Sequence, residues 1–314
     1  MKPTIAILVP VYNNSSTVEA TLDSTLALDS IEGAELVVSD DASTDDTVTI
    51  CRRWTKEHRT RFRRVALLEN KSNLGISGNH RAAFDAATSE YGIYLGGDDI
   101  FYDSQLLVRV AEYLREYPGT RIAKMRVQSL YSKSGKVIDI YRYKRLFFLL
   151  APRRQFACLA ILGNFLYAGP GTVLRIRDVR DFDAFDAGCR SFEDLPLYYA
   201  FLAHEHRIRL IGARGLYWMR HDGSLSYKGF STARGRFSQD QEHVRRRFVH
   251  ANLSRFSGFE RLLLHARYGP KPVRQLLLLA YWPWYALRLV PSFQRRLAAL
   301  SVRKSASAQL PHGT

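Results

Sequence analysis

Four apolar runs, each followed by a stretch with helical spacing, occupy the first 117 residues and constrain the fold more than any other feature. A short, almost continuous apolar run is typical of a strand that is covered on both faces. Strands and helices that alternate at this spacing predict an open, largely parallel sheet flanked by helices. The predicted strands are residues 4–12, 34–41, 64–70 and 91–97, and the predicted helices are residues 15–28, 43–58, 75–87 and 103–117.

The second half of the chain is less regular. Residues 121–143 predict two strands around the turn KSGK, and residues 169–178 predict a further strand that follows a Gly/Pro turn. Residues 191–206 have helical spacing, and residues 207–227 predict a hairpin that is broken at GARG. Beyond Gly229 the composition shifts to basic-apolar helices, and the last dozen residues are typical of a frayed tail. We therefore predict an α/β unit followed by a C-terminal helical extension.

Two pairs of adjacent acids follow predicted strands. Asp40 and Asp41 end the second strand, and Asp98 and Asp99 end the fourth. In open α/β sheets ligands bind at the carboxyl ends of the strands, so both pairs are expected at one edge. Adjacent carboxylates repel each other and are costly to bury without a partner. A helix cap at Asp41 or Ser43 and a turn cap at Asp99 are the alternatives, but two acidic pairs favour a functional edge.

The chemistry of this edge points to a phosphorylated ligand. The chain has neither a G-x-G-x-x-G after the first strand nor a G-x-x-x-x-G-K-[ST], which disfavours dinucleotide dehydrogenases and P-loop enzymes. Mg²⁺ and Mn²⁺ take oxygen ligands and often use one or two carboxylates together with substrate phosphates. The glycines before Asp98 allow backbone and ligand to approach closely. We therefore predict a nucleotide-diphosphate substrate that is held through a metal ion.

Six motifs in order strengthen this prediction. They are VPVYNN, VVSDDASTDDT, NLGISGNHRAAF, YLGGDDI, FEDLPLYY and RHDGSLS. Each is weak alone, but their order and spacing over roughly residues 3–227 resemble the inverting family-two glycosyltransferases. The resemblance implies the GT-A fold, a Mn²⁺ or Mg²⁺ cofactor, and transfer of a sugar from a nucleotide-diphospho-sugar, expected to be a UDP-sugar. The implied acceptor is a hydroxyl of a glycan or lipid-linked glycan in surface polysaccharide synthesis.

The resemblance also implies a domain organisation and a donor site. A catalytic domain would span 1–228, with a nucleotide-binding half at 1–117 and an acceptor-binding half at 118–228. A basic-apolar helical extension would follow at 229–300 and a flexible tail at 301–314. The implied nucleotide-binding residues are Pro10, Tyr12, Asn13, Asp40, Lys71, Arg81 and Asp98, with Asp40 accepting a hydrogen bond from the base.

The metal site implied by the resemblance is Asp98, with Asp99 beside it and His221 from RHDGSLS completing the shell. The first acid of the family's D-x-D signature is replaced here by Gly96, which removes one carboxylate contact. Neutral imidazole is a competent metal ligand. A histidine in a surface turn remains the alternative for His221.

The motif FEDLPL supplies the implied catalytic base, Asp194. Inversion requires a carboxylate that takes the proton of the acceptor hydroxyl as the new bond forms. Glu193, Arg220 and Ser226 are implied to contact the acceptor or the phosphates. The alternative for Glu193 and Asp194 is that they are first-turn acids that favour the helix dipole.

The C-terminal segment at 261–300 alternates arginine and lysine with leucine, tryptophan and tyrosine, and prolines divide it into short helices. Such a segment favours an element that lies on an anionic membrane surface, and no apolar run reaches the roughly 20 residues of a membrane span. Helices that pack on the catalytic domain are the alternative. Three scattered cysteines indicate a reducing compartment. We therefore expect a cytoplasmic protein, peripheral on the inner face of the cell membrane.

Two other functions stay open. The chain carries 46 Lys and Arg against 30 Asp and Glu, a formal charge of +16, which suits anionic partners and also a nucleic-acid-binding protein. It contains no recognised nucleic-acid module, so no nucleic-acid partner is expected. A sugar-nucleotide nucleotidyltransferase would need a glycine- and arginine- or lysine-rich loop after the first strand, where the chain has PVYNNSST.

Overall fold

The structure is a computed structural model that describes residues 3–141, 144–164, 166, 169–221 and 234–268. Its strands are β1 (Ile5–Val11), β2 (Glu35–Asp40), β3 (Arg64–Glu69), β4 (Tyr91–Tyr94), β5 (Ile100–Phe101), β6 (Ile122–Tyr131), β7 (Lys136–Asp139), β8 (Thr172–Arg175) and β9 (Arg209–Arg220). Its α-helices are α1 (Val18–Leu26), α2 (Thr47–His58), α3 (Gly75–Ala86), α4 (Leu106–Glu116), α5 (Pro152–Leu162), α6 (Ile176–Asp181), α7 (Asp194–Ala203), α8 (Arg234–Val244) and α9 (Gly258–Tyr268). The short helices are Ile31–Gly33, Arg59–Arg61, Arg145–Leu149, Arg245–Val249 and His250–Arg255.

Within the described residues the strands form a single mixed sheet in the order β3-β2-β1-β4-β8-β6-β9-β5, with β7 paired to β6. The strands β3, β2, β1 and β4 are parallel, as the strand–helix alternation predicts. From β4 onward β8 pairs antiparallel with both β4 and β6, whereas β6 and β9 are parallel. The predicted α/β class with helices around a sheet is therefore confirmed, and the parallel part is its first half.

The core lies around β1 and β2, in which every residue is buried. This burial explains why these strands are apolar at almost every position rather than at alternate ones. The helix α3 packs on both strands, and α5 packs against α7 in the second half. The carboxyl ends of β1, β2 and β4 consequently meet at one edge of the sheet.

A buried carboxylate fixes the opposite end of β2. Glu35 accepts hydrogen bonds from the backbone N–H groups and the hydroxyls of Thr88 and Ser89. It also pairs with Arg63 and Arg64. Burial alone raises the pKa of the Glu35 carboxyl, but the hydrogen bonds from Ser89, Thr88 and Arg64 outweigh it and leave that pKa below its ordinary value.

The structure corrects the hairpin predicted at 207–227, because β9 runs without a break from Arg209 to Arg220. Gly215 has a φ of +153°, and the pairing of β6 with β9 shifts register beside it. A Cβ at Gly215 would lie 2.9 Å from Cδ1 of Leu106. Gly215 therefore lies at an irregularity within β9 that lets α4 approach closely, and it does not lie in a turn.

The C-terminal part is described only as far as α9. The helix α9 packs on α5, and the short helix Arg245–Val249 packs on α7. None of the helices in the described ranges has the length and apolar character needed to cross a membrane. Residues 269–314, which hold most of the predicted membrane-binding segment and the tail, lie outside the described residues.

Candidate active site

The loops after β1 and β2 are tied together at the edge of the sheet. The backbone N–H of Asn13 donates to Oγ of Ser43 at 2.9 Å, and Oδ1 of Asn13 accepts from the backbone N–H of Thr44 at 2.8 Å. Asn13 has a φ of 52°, which asparagine adopts more readily than most residues. Pro10 is buried in β1, and Tyr12 lies beside Asn13 with its side chain 43% exposed. The three residues predicted to line the nucleotide pocket thus border one loop.

Asp40 carries a buried carboxylate oxygen that lacks a donor. The residue is 3% exposed, and its Oδ2 accepts from the backbone N–H of Ser43 at 3.0 Å. Its Oδ1 has no hydrogen-bond donor among the described residues. A buried carboxylate oxygen without a donor is costly, so this atom is suited to accept a hydrogen bond from a ligand.

Asp41 has a different role. Its carboxylate accepts from the backbone N–H groups of Leu74 and Gly75, at 2.7 and 3.0 Å, which begin α3. Asp41 therefore caps a helix, which was the alternative to a role in ligand binding, but the capped helix is α3 rather than α2. Lys71 lies exposed in the loop before this cap. Arg81 lies on α3 and pairs with Asp183 at 2.7 Å.

The two acids of the second pair have different environments. Asp99 is buried, and its two oxygens accept from the backbone N–H groups of Met219, at 2.9 Å, and Gly96, at 3.2 Å. Burial, followed by the charge of Asp98, raises the pKa of Asp99 well above its ordinary value. Asp98 remains partly exposed, and its Oδ2 lies 3.1 Å from Nε2 of His221. Burial also raises the pKa of Asp98, against the opposing effect of His221.

This arrangement explains the missing first acid of the D-x-D signature. A Cβ at Gly96 would lie 2.6 Å from Oδ2 of Asp99 and 3.2 Å from Oδ1 of Asp98. The carboxylate of Asp99 therefore occupies the space that a side chain at position 96 would need. A Cβ at Gly97 would lie 2.7 Å from Oδ1 of Asn14, so the two glycines let β4 end close to the loop after β1.

Asp98 and His221 are the described groups that could hold a divalent cation. The described residues contain no group of three or more acidic, histidine or cysteine side chains placed to bind a metal. A carboxylate and an imidazole nevertheless suit Mn²⁺ or Mg²⁺ when substrate phosphates supply other ligands. The residues present therefore fit a metal that a bound diphosphate shares, and do not form a closed metal cage.

The predicted base lies at the start of α7. Oδ2 of Asp194 accepts from the side-chain amide of Asn164 at 2.6 Å, and Oε1 of Glu193 accepts from the hydroxyl of Tyr94 at 3.1 Å. Burial, followed by the charge of Glu193, raises the pKa of Asp194 to about 6. Burial likewise raises the pKa of Glu193. Asp194 is therefore a carboxylate that is ionised at neutral pH yet basic enough to take a proton.

The remaining predicted residues follow β9. The guanidinium of Arg220 lies 4.3 Å from the ring centroid of Trp218. The charge of Arg220 lowers the pKa of Asp98 and of Asp99, which places it near the second acidic pair. Ser226 lies outside the described residues.

Three residues that hold the site together were missed by the sequence reasoning. Asn79 on α3 donates to the carbonyl oxygens of Val11, at 3.2 Å, and Ser39, at 3.0 Å, and so joins the ends of β1 and β2. It stands inside the quoted motif NLGISGNHRAAF, which was the available signal. The other two are Asp240 and Arg190.

Asp240 on α8 connects the C-terminal part to the loop that precedes the predicted base. Its Oδ2 accepts from the backbone N–H groups of Arg190, at 3.0 Å, and Ser191, at 2.8 Å, shortly before Glu193 and Asp194. Arg190 in turn donates to the carbonyl oxygen of Asn73 at 2.7 Å, beside the loop that Asp41 caps. No local sequence signal could have shown a contact across 50 residues.

Comparisons with known proteins match this architecture. The family model described as "Glycosyl transferase family 2" matches residues 6–161. An uncharacterized protein of Mycobacterium tuberculosis, MT1568, is 30% identical over 128 residues, which cover 41% of this chain and 38% of that protein. The putative glycosyltransferase EpsE of Bacillus subtilis is 28% identical over 109 residues, covering 35% of this chain and 38% of EpsE. The match thus spans well under half the length of these relatives.

Two solved structures are similar in fold. Residues 1–349 of S. aureus TarS in complex with UDP-GlcNAc give a TM-score of 0.63 at 18% identity, covering 84% of this chain and 71% of that one. The mannosyltransferase PcManGT from Pyrobaculum calidifontis, in complex with GDP-Man and Mn²⁺, gives 0.55 at 17% identity, covering 96% and 87%. At these identities the comparison concerns the fold alone, and it confirms the predicted GT-A architecture.

Proposed function

We propose that this chain, which belongs to glycosyl transferase family 2, transfers a sugar from a nucleotide-diphospho-sugar to a hydroxyl group of an acceptor, with inversion at the anomeric carbon. The observation that carries the proposal is the buried, unpartnered Oδ1 of Asp40 at the same sheet edge as Asp98 and His221. The Oδ1 atom of Asp40 lacks a hydrogen-bond donor among the described residues, and Asp98 and His221 suit a metal-bound diphosphate.

The free oxygen of Asp40 favours a particular base. Oδ2 of Asp40 is already bonded to the backbone of Ser43, so a single oxygen remains for the ligand. Uracil and thymine present one ring N–H, whereas guanine presents a ring N–H and an amino group side by side. One acceptor matches one ring N–H, which favours uracil or thymine over guanine, and of these two we propose the UDP-sugar that the family resemblance implies.

In the proposed reaction Asp98 and His221 would hold Mn²⁺ or Mg²⁺, and the metal would act as a Lewis acid that stabilises charge on the leaving diphosphate. Arg220 adds positive charge beside these residues. Asp99 keeps the turn after β4 in place through its bonds to Gly96 and Met219.

Asp194 is the proposed base. The acceptor oxygen forms a bond to the anomeric carbon while the bond from that carbon to the diphosphate oxygen breaks. The proton of the acceptor hydroxyl passes to Asp194, and the electron pair of the broken bond leaves with the nucleoside diphosphate. The hydrogen bond that Asn164 donates to Oδ2 of Asp194 fixes the orientation of this carboxylate.

The acceptor and the setting are proposals from the relatives. Their names include a putative glycosyltransferase, EpsE, and a PGL/p-HBAD biosynthesis glycosyltransferase. They favour a glycan or lipid-linked glycan acceptor and a role in surface polysaccharide synthesis. The basic-apolar composition of residues 261–300 supports a peripheral position on an anionic membrane.

Calorimetric titration of the full chain with UDP, GDP, dTDP and CDP, each with Mn²⁺ and then with EDTA, tests the donor. We expect UDP to bind with Mn²⁺ and Asp40→Asn to weaken it by about 10- to 150-fold, the loss of one hydrogen bond to a charged group. The exposed Asp181→Asn is the matched control and should bind as the unmodified chain does. A chain that binds none of the nucleotides would refute the proposed function.

The base is tested separately with Asp194→Asn. This variant should bind UDP as before, because Asp194 lies on α7 and not in the nucleotide loops. Its sugar transfer to a glycan acceptor should fall by about 10²- to 10⁴-fold, the usual contribution of a general base. Normal turnover by Asp194→Asn would exclude it as the base.

A further inference from the structure

A lysine lies fully buried beneath the two carboxylates at the start of α7. Lys124 on β6 has an exposure of 0%. Its Nζ donates to Oγ1 of Thr172 at 2.5 Å and to the carbonyl oxygens of Gly169, at 3.3 Å, and Pro170, at 3.5 Å. The ring of Tyr198 lies 5.7 Å away on α7. Such an arrangement stabilises an ammonium group in the interior, where an uncompensated charge is costly.

Gly169 separates this ammonium from the carboxylates. Its carbonyl oxygen accepts from Lys124, while a Cβ on the same residue would lie 1.9 Å from Oε1 of Glu193. Lys124 and Glu193 therefore contact the same glycine, and Asp194 is the next residue along the chain. The absence of a side chain at position 169 lets the cation and the acids come this close.

We propose, on the basis of the function proposed above, that Lys124 is a positioning residue whose buried ammonium supplies the positive charge that keeps Asp194 ionised beside Glu193. Two adjacent, partly buried carboxylates cannot both ionise easily, because each raises the free energy of the other's charge. A fixed cation on the far side of Gly169 offsets that repulsion. Asp194 can then accept the proton of the acceptor while Glu193 stays bonded to Tyr94.

Among the described residues, a histidine and three tyrosines around the acids cannot supply this charge. His80 on α3 is buried, and burial lowers its pKa to about 4, so it is neutral at physiological pH. The tyrosines that face the acids become negative, not positive, when they ionise. Burial raises the pKa of each of them well above its ordinary value, and they are Tyr94, Tyr141 and Tyr198.

The charges of Lys124 and the two acids act on one another, as this geometry requires. Burial lowers the pKa of its ammonium to about 7, and the charges of Asp194 and Glu193 act in the opposite direction. Lys124 in turn lowers the pKa of both acids. The coupling is reciprocal, so removing either partner must shift the titration of the other.

Carboxyl-selective ¹³C NMR of the full chain, labelled at the aspartate carboxyl carbon, measures the effect without any substrate. The signal of Asp194 is assigned from its loss in Asp194→Asn. We expect Lys124→Met, which keeps the length of the side chain and removes its charge, to raise the titration midpoint of Asp194 by about one pH unit or more. An unchanged midpoint in a folded Lys124→Met chain would overturn the proposal.

Thr172→Val is the matched control, since it removes an oxygen that contacts Lys124 but keeps the charge. Thr172→Val should shift the titration midpoint of Asp194 by less than half as much as Lys124→Met does. An equal shift would mean that packing, not the charge of Lys124, sets this midpoint, and would overturn the proposal. If Lys124→Met does not fold, the reciprocal measurement on Lys124 tests the proposal instead. With ¹³Cε-labelled lysine, Asp194→Asn should lower the midpoint of Lys124, and an unchanged midpoint would also overturn the proposal.

These titrations need no nucleotide. Their failure would refute the role of Lys124 alone, whereas failure of nucleotide binding would refute the proposed function.

Discussion

Gly169 offers the sharpest test of how the site is packed. Oε1 of Glu193 lies 1.9 Å and the hydroxyl oxygen of Tyr94 lies 2.2 Å from the place that a Cβ at position 169 would occupy. In Gly169→Ala these atoms would have to retreat by roughly 1.5 Å to reach ordinary contact distances. The two atoms are themselves joined by a hydrogen bond of 3.1 Å, so the new methyl group enters the bond's immediate surroundings.

The cost of Gly169→Ala has two parts. Inserting a methyl group into a well-packed interior costs about 1–3 kcal/mol. Breaking the hydrogen bond from Tyr94 to a carboxylate costs about 1.5–3 kcal/mol more. We therefore expect the free energy of unfolding to fall by about 2.5–6 kcal/mol, a large share of the stability of an ordinary domain.

Urea unfolding followed by circular dichroism measures this loss. Gly119→Ala is the matched control, because a Cβ there would meet no heavy atom within 4 Å. Its free energy of unfolding should stay within about 1 kcal/mol of the unmodified chain. If Gly169→Ala and Gly119→Ala unfolded at the same urea concentration, the close packing of Gly169 on Glu193 and Tyr94 would be refuted.

Two further measurements follow from the buried acids. Glu35→Gln should lower the free energy of unfolding by about 1–3 kcal/mol in urea, because it removes the charge of a buried carboxylate that accepts from Ser89 and Arg64, whereas Glu19→Gln, in an exposed pair with Arg53, should cost less than about 1 kcal/mol. Since the pKa of Asp194 is raised to about 6, kcat/KM should fall as the pH drops below that value and the base becomes protonated, by about tenfold per pH unit. A pH profile from 5 to 8 that stayed flat would contradict the role of Asp194 as base.

Much of the first half could be predicted from sequence because its signals are local. Strands such as β1 are buried on both faces, and their apolar runs show it directly. The acids Asp40 and Asp98 could be placed together because parallel strands end at one edge. Their motifs also carried the family resemblance, which the family match confirms.

The misses have physical reasons. The helix α5 is buried at every residue from Gln155 to Leu162, so its sequence lacks the 3.6-residue period of a surface helix. GARG within β9 reads as a turn, but Gly215 is there to admit Leu106 of α4. Lys124 was not identified from the sequence, because only the tertiary structure shows the oxygens that hold it.

The hydrogen bonds that Asp240 accepts from Arg190 and Ser191 limit where this chain can be truncated or joined to part of another protein. A fragment ending at residue 228 would retain Asp40, Asp98 and Asp194 and would still lose the carboxylate that secures the loop before α7. Chimeras that exchange the C-terminal third between relatives would break the same connection unless both sides were transferred together. A fragment that keeps this contact therefore has to extend through α8, which makes the C-terminal helices a structural support of the loop before α7.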